Sequence, residues 1–236
     1  MRLNRYLALS GLGSRRSCES IISAGRVAVN GKRCVALATR VEEGNRVTVD
    51  GELIAPDRET TLILHKPKGA LCTRDDPQRR RTIYEHLPEH LLQLNYVGRL
   101  DKESEGLLVM TNDGPLAQRL THPRYKVDKE YLIVLDRTFR KENTAMLLQG
   151  IQIEEGLAKA ASVTPISPRR LAIVLNQGYK RQLRQMFGAL DYKVKQLIRI
   201  RIGGLELGPL REGRWRILRP EEIAALTEGA APTRKA

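Results

Sequence analysis

Apolar positions near the start of the chain recur with helical spacing. Leu3, Tyr6 and Leu7 fall on one helical face, and Gly11-Leu12-Gly13 breaks that pattern. Ser14 suits the N-cap of a second helix. In that helix Cys18, Ile21 and Ile22 share the buried side, Arg15, Arg16 and Glu19 lie largely away from it, and Gly25 supplies the stop. The period then changes to two. Arg26-Val27-Ala28-Val29 and Arg46-Val47-Thr48-Val49 alternate as strands, while Asn30-Gly31 and Asp50-Gly51 fit two-residue hairpin turns because both positions tolerate positive φ. This small helix-helix-hairpin domain is expected over 1–55 and has a marginal core of its own. A polar linker follows over 56–60, a second domain over 61–227, and a small-residue tail over 228–236.

The second domain reads as α+β. Strands are expected at Thr61–His65, Leu132–Leu135, Arg170–Leu175 and Gln196–Ile202, and helices at Pro115–Leu120, Glu142–Gln149, Lys180–Leu190 and Glu221–Leu226. In the last strand Ile198, Ile200 and Ile202 alternate with Arg199 and Arg201, which predicts one apolar and one basic face. Strands and helices do not alternate regularly, so the expected fold is a mixed, mainly antiparallel β-sheet with flanking helices.

Charge sharpens this picture. The 236 residues hold 41 Lys+Arg against 27 Asp+Glu, a formal net charge of +14, which favours a polyanionic partner such as nucleic acid. The densest stretch, Tyr179 to Arg201, is interleaved with Tyr179, Phe187 and Tyr192, as expected for the wall of a folded groove. Cys18, Cys34 and Cys72 are far apart and support neither a disulfide framework nor a zinc cluster. No apolar run is long enough to span a membrane and no secretory segment is evident, so a soluble cytoplasmic protein is expected. His86-Leu87-Pro88-Glu89-His90 matches a zinc-peptidase spacing, but Pro88 argues against one continuous helix, and no metal is expected. Phosphate-cradling glycine loops are absent.

The informative segment is Gly98-Arg99-Leu100-Asp101, with Ser104-Glu105-Gly106-Leu107-Leu108 and Thr111-Asn112-Asp113-Gly114 after it. Asp101 stands just before the apolar run Leu107–Met110, in a loop of the kind that holds catalytic groups. These residues resemble the signature of the RsuA-like pseudouridine synthases, which act on ribosomal RNA. His65-Lys66-Pro67-Lys68-Gly69, Cys72-Thr73-Arg74-Asp75-Asp76-Pro77, Lys129-Glu130-Tyr131 and Gly178-Tyr179-Lys180-Arg181-Gln182-Leu183-Arg184 resemble the family's other motifs, in the right order. Residues 1–55 resemble the ribosomal-protein-S-four-type RNA-binding domain, through Ser14-Arg15-Arg16, Gly25-Arg26-Val27 and Val29-Asn30-Gly31.

The resemblance implies isomerisation of a ribosomal RNA uridine to pseudouridine, with no cofactor and no metal. Asp101 matches the essential aspartate, either nucleophile or base. Arg184 matches the basic residue that pairs with it, and Tyr131 the tyrosine that packs against the flipped base. Arg99, Lys129, Lys180, Arg181 and Gln182, with Arg15, Arg16 and Arg26 of the small domain, are the expected RNA contacts. Gln177 and Tyr179 depart from the Glu and Arg usual beside the last motif's glycine. The implied partner is ribosomal RNA or a subunit assembly intermediate, met by a monomer. The alternative is a non-catalytic RNA-binding factor of ribosome assembly that keeps the fold.

Overall fold

Asn30-Gly31 and Asp50-Gly51 both take left-handed backbone in the computed structural model, with φ of 51° and 77° in the first pair and 50° and 88° in the second. Each closes a two-residue hairpin whose twist matches its strands. The structure describes residues 1–228; beyond Glu228 the expected tail lies outside the described residues. Two units are present, Met1–Glu59 and the one beginning at Thr60.

In the first unit, α1 (Leu3–Leu9) and α2 (Arg15–Ser23) pack on an antiparallel sheet of β1 (Val27–Val29), β2 (Lys32–Cys34), β3 (Val47–Val49) and β4 (Glu52–Ile54), in the order β2-β1-β3-β4. Ser14 caps α2 by accepting the Ser17 amide at 3.1 Å. Leu3, Leu7, Cys18, Ile22, Val27 and Val47 form the centre of the core.

The second unit carries more strands than the alternation predicts. They are β5 (Thr61–Lys66), β6 (Asn95–Val97), β7 (Glu105–Thr111), β8 (Lys129–Leu135), β9 (Ile151–Ile153), β10 (Gly156–Ala158), β11 (Ser162–Ser167), β12 (Arg170–Leu175), β13 (Val194–Ile202), β14 (Leu205–Glu206) and β15 (Trp215–Ile217). The helices are α3 (Gly114–Thr121), α4 (Asn143–Gln149), α5 (Gln182–Gly188) and α6 (Pro220–Ala225). β9 and β10 form a hairpin; the others make one mixed sheet with the path β11-β12-β8-β13-β7-β5-β15, β14 joining β13 and β6 joining β7. The short strands β6, β14 and β15 are too brief to show a repeating pattern and are held by the longer β7, β13 and β5.

Every pairing in the large sheet is antiparallel except β13 on β7, which are parallel and in register at Ile198 with Glu105 and Arg199 with Gly106. That seam joins two halves with separate cores. On one side, β8 and β12 pack Ile133, Leu171 and Ile173 against Met186 and Phe187 of α5. On the other, β5 and β7 are buried on both faces: Ile63, Leu107 and Val109 meet α3, while Leu62, Leu64, Leu108 and Met110 meet Ile83 and Leu94. Burial of both faces explains the unbroken apolar run in β7.

Two expectations are corrected. β13 does not present a basic face, because Arg199 and Arg201 are 2% and 4% exposed. Its ladder on β8 slips between them: Arg199 stands opposite Tyr131 and Arg201 opposite Glu130. Neighbouring residues of a strand point to opposite faces, so this bulge sends the two arginines to different sides of the sheet. The helix expected from Lys180 starts only at Gln182, since Arg181 takes a left-handed φ of 51°.

Gly106 makes the seam possible. Its φ is +107°, and a Cβ there would lie 2.3 Å from the Arg199 carbonyl oxygen and 2.6 Å from its amide nitrogen. Both obstacles are backbone and cannot swing away. Gly106→Ala should therefore lower unfolding stability in urea by more than about 2 kcal/mol; a loss below about 0.5 kcal/mol would show that the seam opens freely.

Candidate active site

Asp101 is half-buried at the start of a loop that leads into β7, and it lines a cleft of about 690 Å³ in the second unit. The loop is fixed through its backbone. The Ser104 amide donates to the Asp101 carbonyl at 3.0 Å. The Lys66 ammonium, fully buried at the end of β5, donates to the carbonyls of Ser104 at 2.7 Å, Pro67 at 3.0 Å and Lys102 at 3.4 Å. Burial pushes the Lys66 ammonium below the ordinary lysine range, opposed by Cys72 and by the acids Asp101, Glu105 and Glu103. The Gly69 amide adds a bond to the Lys102 carbonyl at 2.8 Å.

Arg184 belongs to this brace. The expected ion pair with Asp101 is absent from the ion pairs among the described residues. Its guanidinium instead donates to the Val194 carbonyl and to the Glu103 carbonyl, each at 2.9 Å. Helix α5 brings Arg184 to the Asp101 loop through the Glu103 carbonyl. Burial and the Arg181 charge lower the Arg184 pKa, while Asp101 and Glu103 raise it, so the aspartate is felt through space.

Tyr131 and Lys129, two residues apart on one face of β8, line the same cleft. Tyr131 is 8% exposed, its ring set among the core of that half of the sheet. Lys129 donates to the Val127 carbonyl at 3.0 Å. Burial, then the neighbouring Arg199 charge, pull its pKa down to about 8 against partial opposition from Asp128.

Arg99, Lys180 and Arg181 are exposed and line the cleft. Gln182 is 4% exposed and works inside its turn, accepting the Tyr179 amide at 3.2 Å and donating towards Gln177 at 3.4 Å. In the first unit Arg15 and Arg16 are exposed at the start of α2, whereas Arg26 is held by Asp50 in a two-pronged ion pair beside the hairpin turn. Arg26 thus ties the start of β1 to the end of β3 while its side chain stays exposed. His86 and His90 lie on two separate 3₁₀ turns either side of Pro88, and no group of three potential metal ligands occurs among the described residues. Sequence reasoning gave no role to Lys66, Ser104 or Arg199. The signal was Gly106, a glycine inside a strand, which marks a close backbone approach.

A half-buried carboxylate on a cation-held loop, sharing with a tyrosine a cleft that has a basic rim, suits chemistry on an extruded nucleotide. Residues 60–189 match the RNA pseudouridylate synthase family, and residues 1–47 match the S4 domain. The chain is 38% identical over 232 residues to an uncharacterized RNA pseudouridine synthase of Aquifex aeolicus, covering 96% of this chain and 93% of that one. It is 36% identical to the ribosomal large subunit pseudouridine synthase B of Vibrio cholerae, covering 96% of this chain and 74% of that protein. The protein of the same name from Bacillus subtilis is 32% identical, with 95% of each chain covered. A crystal structure of a pseudouridylate synthase superposes with a TM-score of 0.69 at 28% identity, covering 96% of this chain and 99% of that one. The chain belongs to the RNA pseudouridylate synthase family.

The depressed Lys129 pKa has a thermodynamic sign. An ammonium that titrates near 8 when folded, against its ordinary 10.5, opposes folding at neutral pH, and the cost fades as pH rises between those values. Lys129→Met should melt at a higher temperature than the wild type at pH 7, the gap narrowing from pH 8 towards 10.5. A gap that stays constant over that window would contradict the desolvated ammonium.

Proposed function

We propose that this protein isomerises a specific uridine of large-subunit ribosomal RNA to pseudouridine. The carrying observation is that Asp101 and Tyr131 line one cleft, in a chain similar along most of its length to two ribosomal large subunit pseudouridine synthases B. In this reading the uridine leaves its stack and enters the cleft base first, and its ring packs on Tyr131, which offsets part of the few kcal/mol that extrusion costs. Asp101 then acts at the ribose. Lys66 and Arg184 keep its loop in place and supply positive potential around a carboxylate that must stay ionised to react. Detachment at N1, rotation and reattachment at carbon 5 form an isomerisation: nothing is oxidised or reduced and no group is lost.

The exposed cations have the other task. Arg99, Lys180 and Arg181 meet phosphates at the cleft mouth, and Arg15 and Arg16 let the first unit dock on RNA shape and phosphate without reading bases. The substrate is ribosomal RNA, free or in an assembly intermediate.

The deciding assay follows tritium released to water from ribosomal RNA labelled at uridine carbon 5, offered as transcripts and as partly assembled subunits. The wild type should release tritium from large-subunit RNA. Asp101→Asn should lose at least about 10³-fold in rate while binding RNA within about twofold. Absence of release by the wild type from every substrate would sink the proposal, as would full activity of the variant. RNA affinity should also fall steeply between 50 mM and 200 mM salt; a flat dependence would contradict phosphate docking.

A further inference from the structure

We propose that Arg199 takes up the charge of the departing base, its Nη2 donating to a carbonyl oxygen of the flipped uracil as the glycosidic bond breaks. The proposal rests on the function given above and adds a residue to it.

The position comes from the β13 bulge. A regular strand would have put Arg199 and Arg201 on one face. Instead Arg201 turns to the far side and pairs with Glu130 at 2.7 Å, while Arg199 stands beside Tyr131 and lines the cleft. The Arg199 Nε donates to the Leu107 carbonyl at 2.7 Å, so the guanidinium is anchored across the seam to the strand that follows Asp101. Its Nη2 is buried without a hydrogen-bond partner. No ion pair among the described residues includes Arg199.

A buried charged donor with no acceptor costs more than the ~1–3 kcal/mol of a neutral orphan, and arginine cannot escape by losing its proton. Such a group is best satisfied by an acceptor that arrives with the substrate. Depth selects which acceptor. Phosphates stay on the RNA backbone, at the level of the exposed Lys180 and Arg181, whereas the part of a flipped nucleotide that goes deepest is its base. Arg199, at 2% exposure, belongs to the floor. Uracil offers two carbonyl acceptors on its ring.

The chemistry then uses the charge. When the C1′–N1 bond breaks, its electron pair stays with N1 and spreads to both carbonyl oxygens. A fixed cation aimed at one of them stabilises that anion more than the neutral ring. The base turns, carbon 5 bonds to C1′, the carbon 5 proton leaves to solvent and N1 takes one up. No proton passes through Arg199 in this sequence.

The test uses the large-subunit RNA fragment in which tritium release locates the target, made with uridine or with 5-fluorouridine at that position. Fluorine makes the departing base a weaker base, so it depends less on outside stabilisation. Loss of the target nucleoside is followed chromatographically in single turnover at saturating enzyme. Arg199→Met should slow uridine reaction by about 10²–10³-fold, slow 5-fluorouridine reaction at least tenfold less, and leave RNA affinity within about twofold. Equal losses on the two bases would assign Arg199 a structural role and overturn the proposal. Weaker RNA binding with a shallower salt dependence would assign it to phosphate and overturn it too. Should the Met variant not fold, Arg199→Lys carries the same comparison, again with the greater loss on uridine. A wild type inactive on every RNA removes the proposed function itself, which separates that failure from this one.

Discussion

The site depends on one close approach between two strands. Among the described residues, β7 and β13 supply the single parallel pairing of strands in a sheet that is otherwise antiparallel, and they meet at Gly106 with no room for a side chain. Gly106 has Lys66 of β5 opposite it on one side and Arg199 of β13 on the other. Both cations are buried and both bind carbonyls on the chain that carries Asp101 into β7: Lys66 those of Lys102 and Ser104, Arg199 that of Leu107. The seam thus joins the two halves of the sheet and fixes the aspartate relative to Tyr131 on the opposite half. A loop without this backing would let the carboxylate wander by the ångström or so that positioning for catalysis does not tolerate.

The cost of this arrangement is visible in the charges. Glu130 and Arg201, on the far face, satisfy one another in a buried pair, which is how a purely structural arginine is accommodated. On the cleft side the bargain is different. Lys66 bonds only to carbonyls, Lys129 is desolvated until its pKa falls to about 8, and Arg199 keeps a buried donor unpartnered. Lys129 and Arg199 repel each other beside the cleft, and burial weighs against the charges of Lys129 and Lys66, yet together these groups favour negative charge nearby. Destabilising polar features that cluster beside a carboxylate are what a preorganised site requires, since the fold tolerates the strain before the substrate arrives.

Much of this was legible in the chain, and the limits have physical causes. The Ser14 cap, the stop at Gly25 and the two hairpin turns are local, decided by side-chain chemistry and by which residues accept positive φ. The order of the motifs located Asp101, Lys129 and Tyr131, and the structure sets them around one cleft. What failed was non-local. Alternation in β13 implied a basic surface because it assumed an unbroken ladder; one bulge reversed the direction of Arg199 relative to Arg201. Arg184 was expected to grip the aspartate directly, but the carbonyls of Glu103 and Val194 compete for the same guanidinium at 2.9 Å. Arg26 looked like a free cation because its partner, Asp50, is distant in sequence and adjacent only once the hairpins form.

The distribution of charge by depth connects the parts. In the proposed function the exposed arginines and lysines around the cleft mouth meet phosphate, where they would govern encounter and retention and lose strength as ions accumulate. Buried cations are screened far less, and their effect is confined to whatever enters. The net charge of +14 thus includes two populations, exposed and buried, to which the proposal gives different parts of the same nucleotide. On that proposal the backbone is held where solvent reaches it and where sequence need not matter, and the base is met where solvent is excluded. Such a division would let one chain bind RNA broadly through its surface while reserving its chemistry for a nucleotide that can leave the stack and reach the floor.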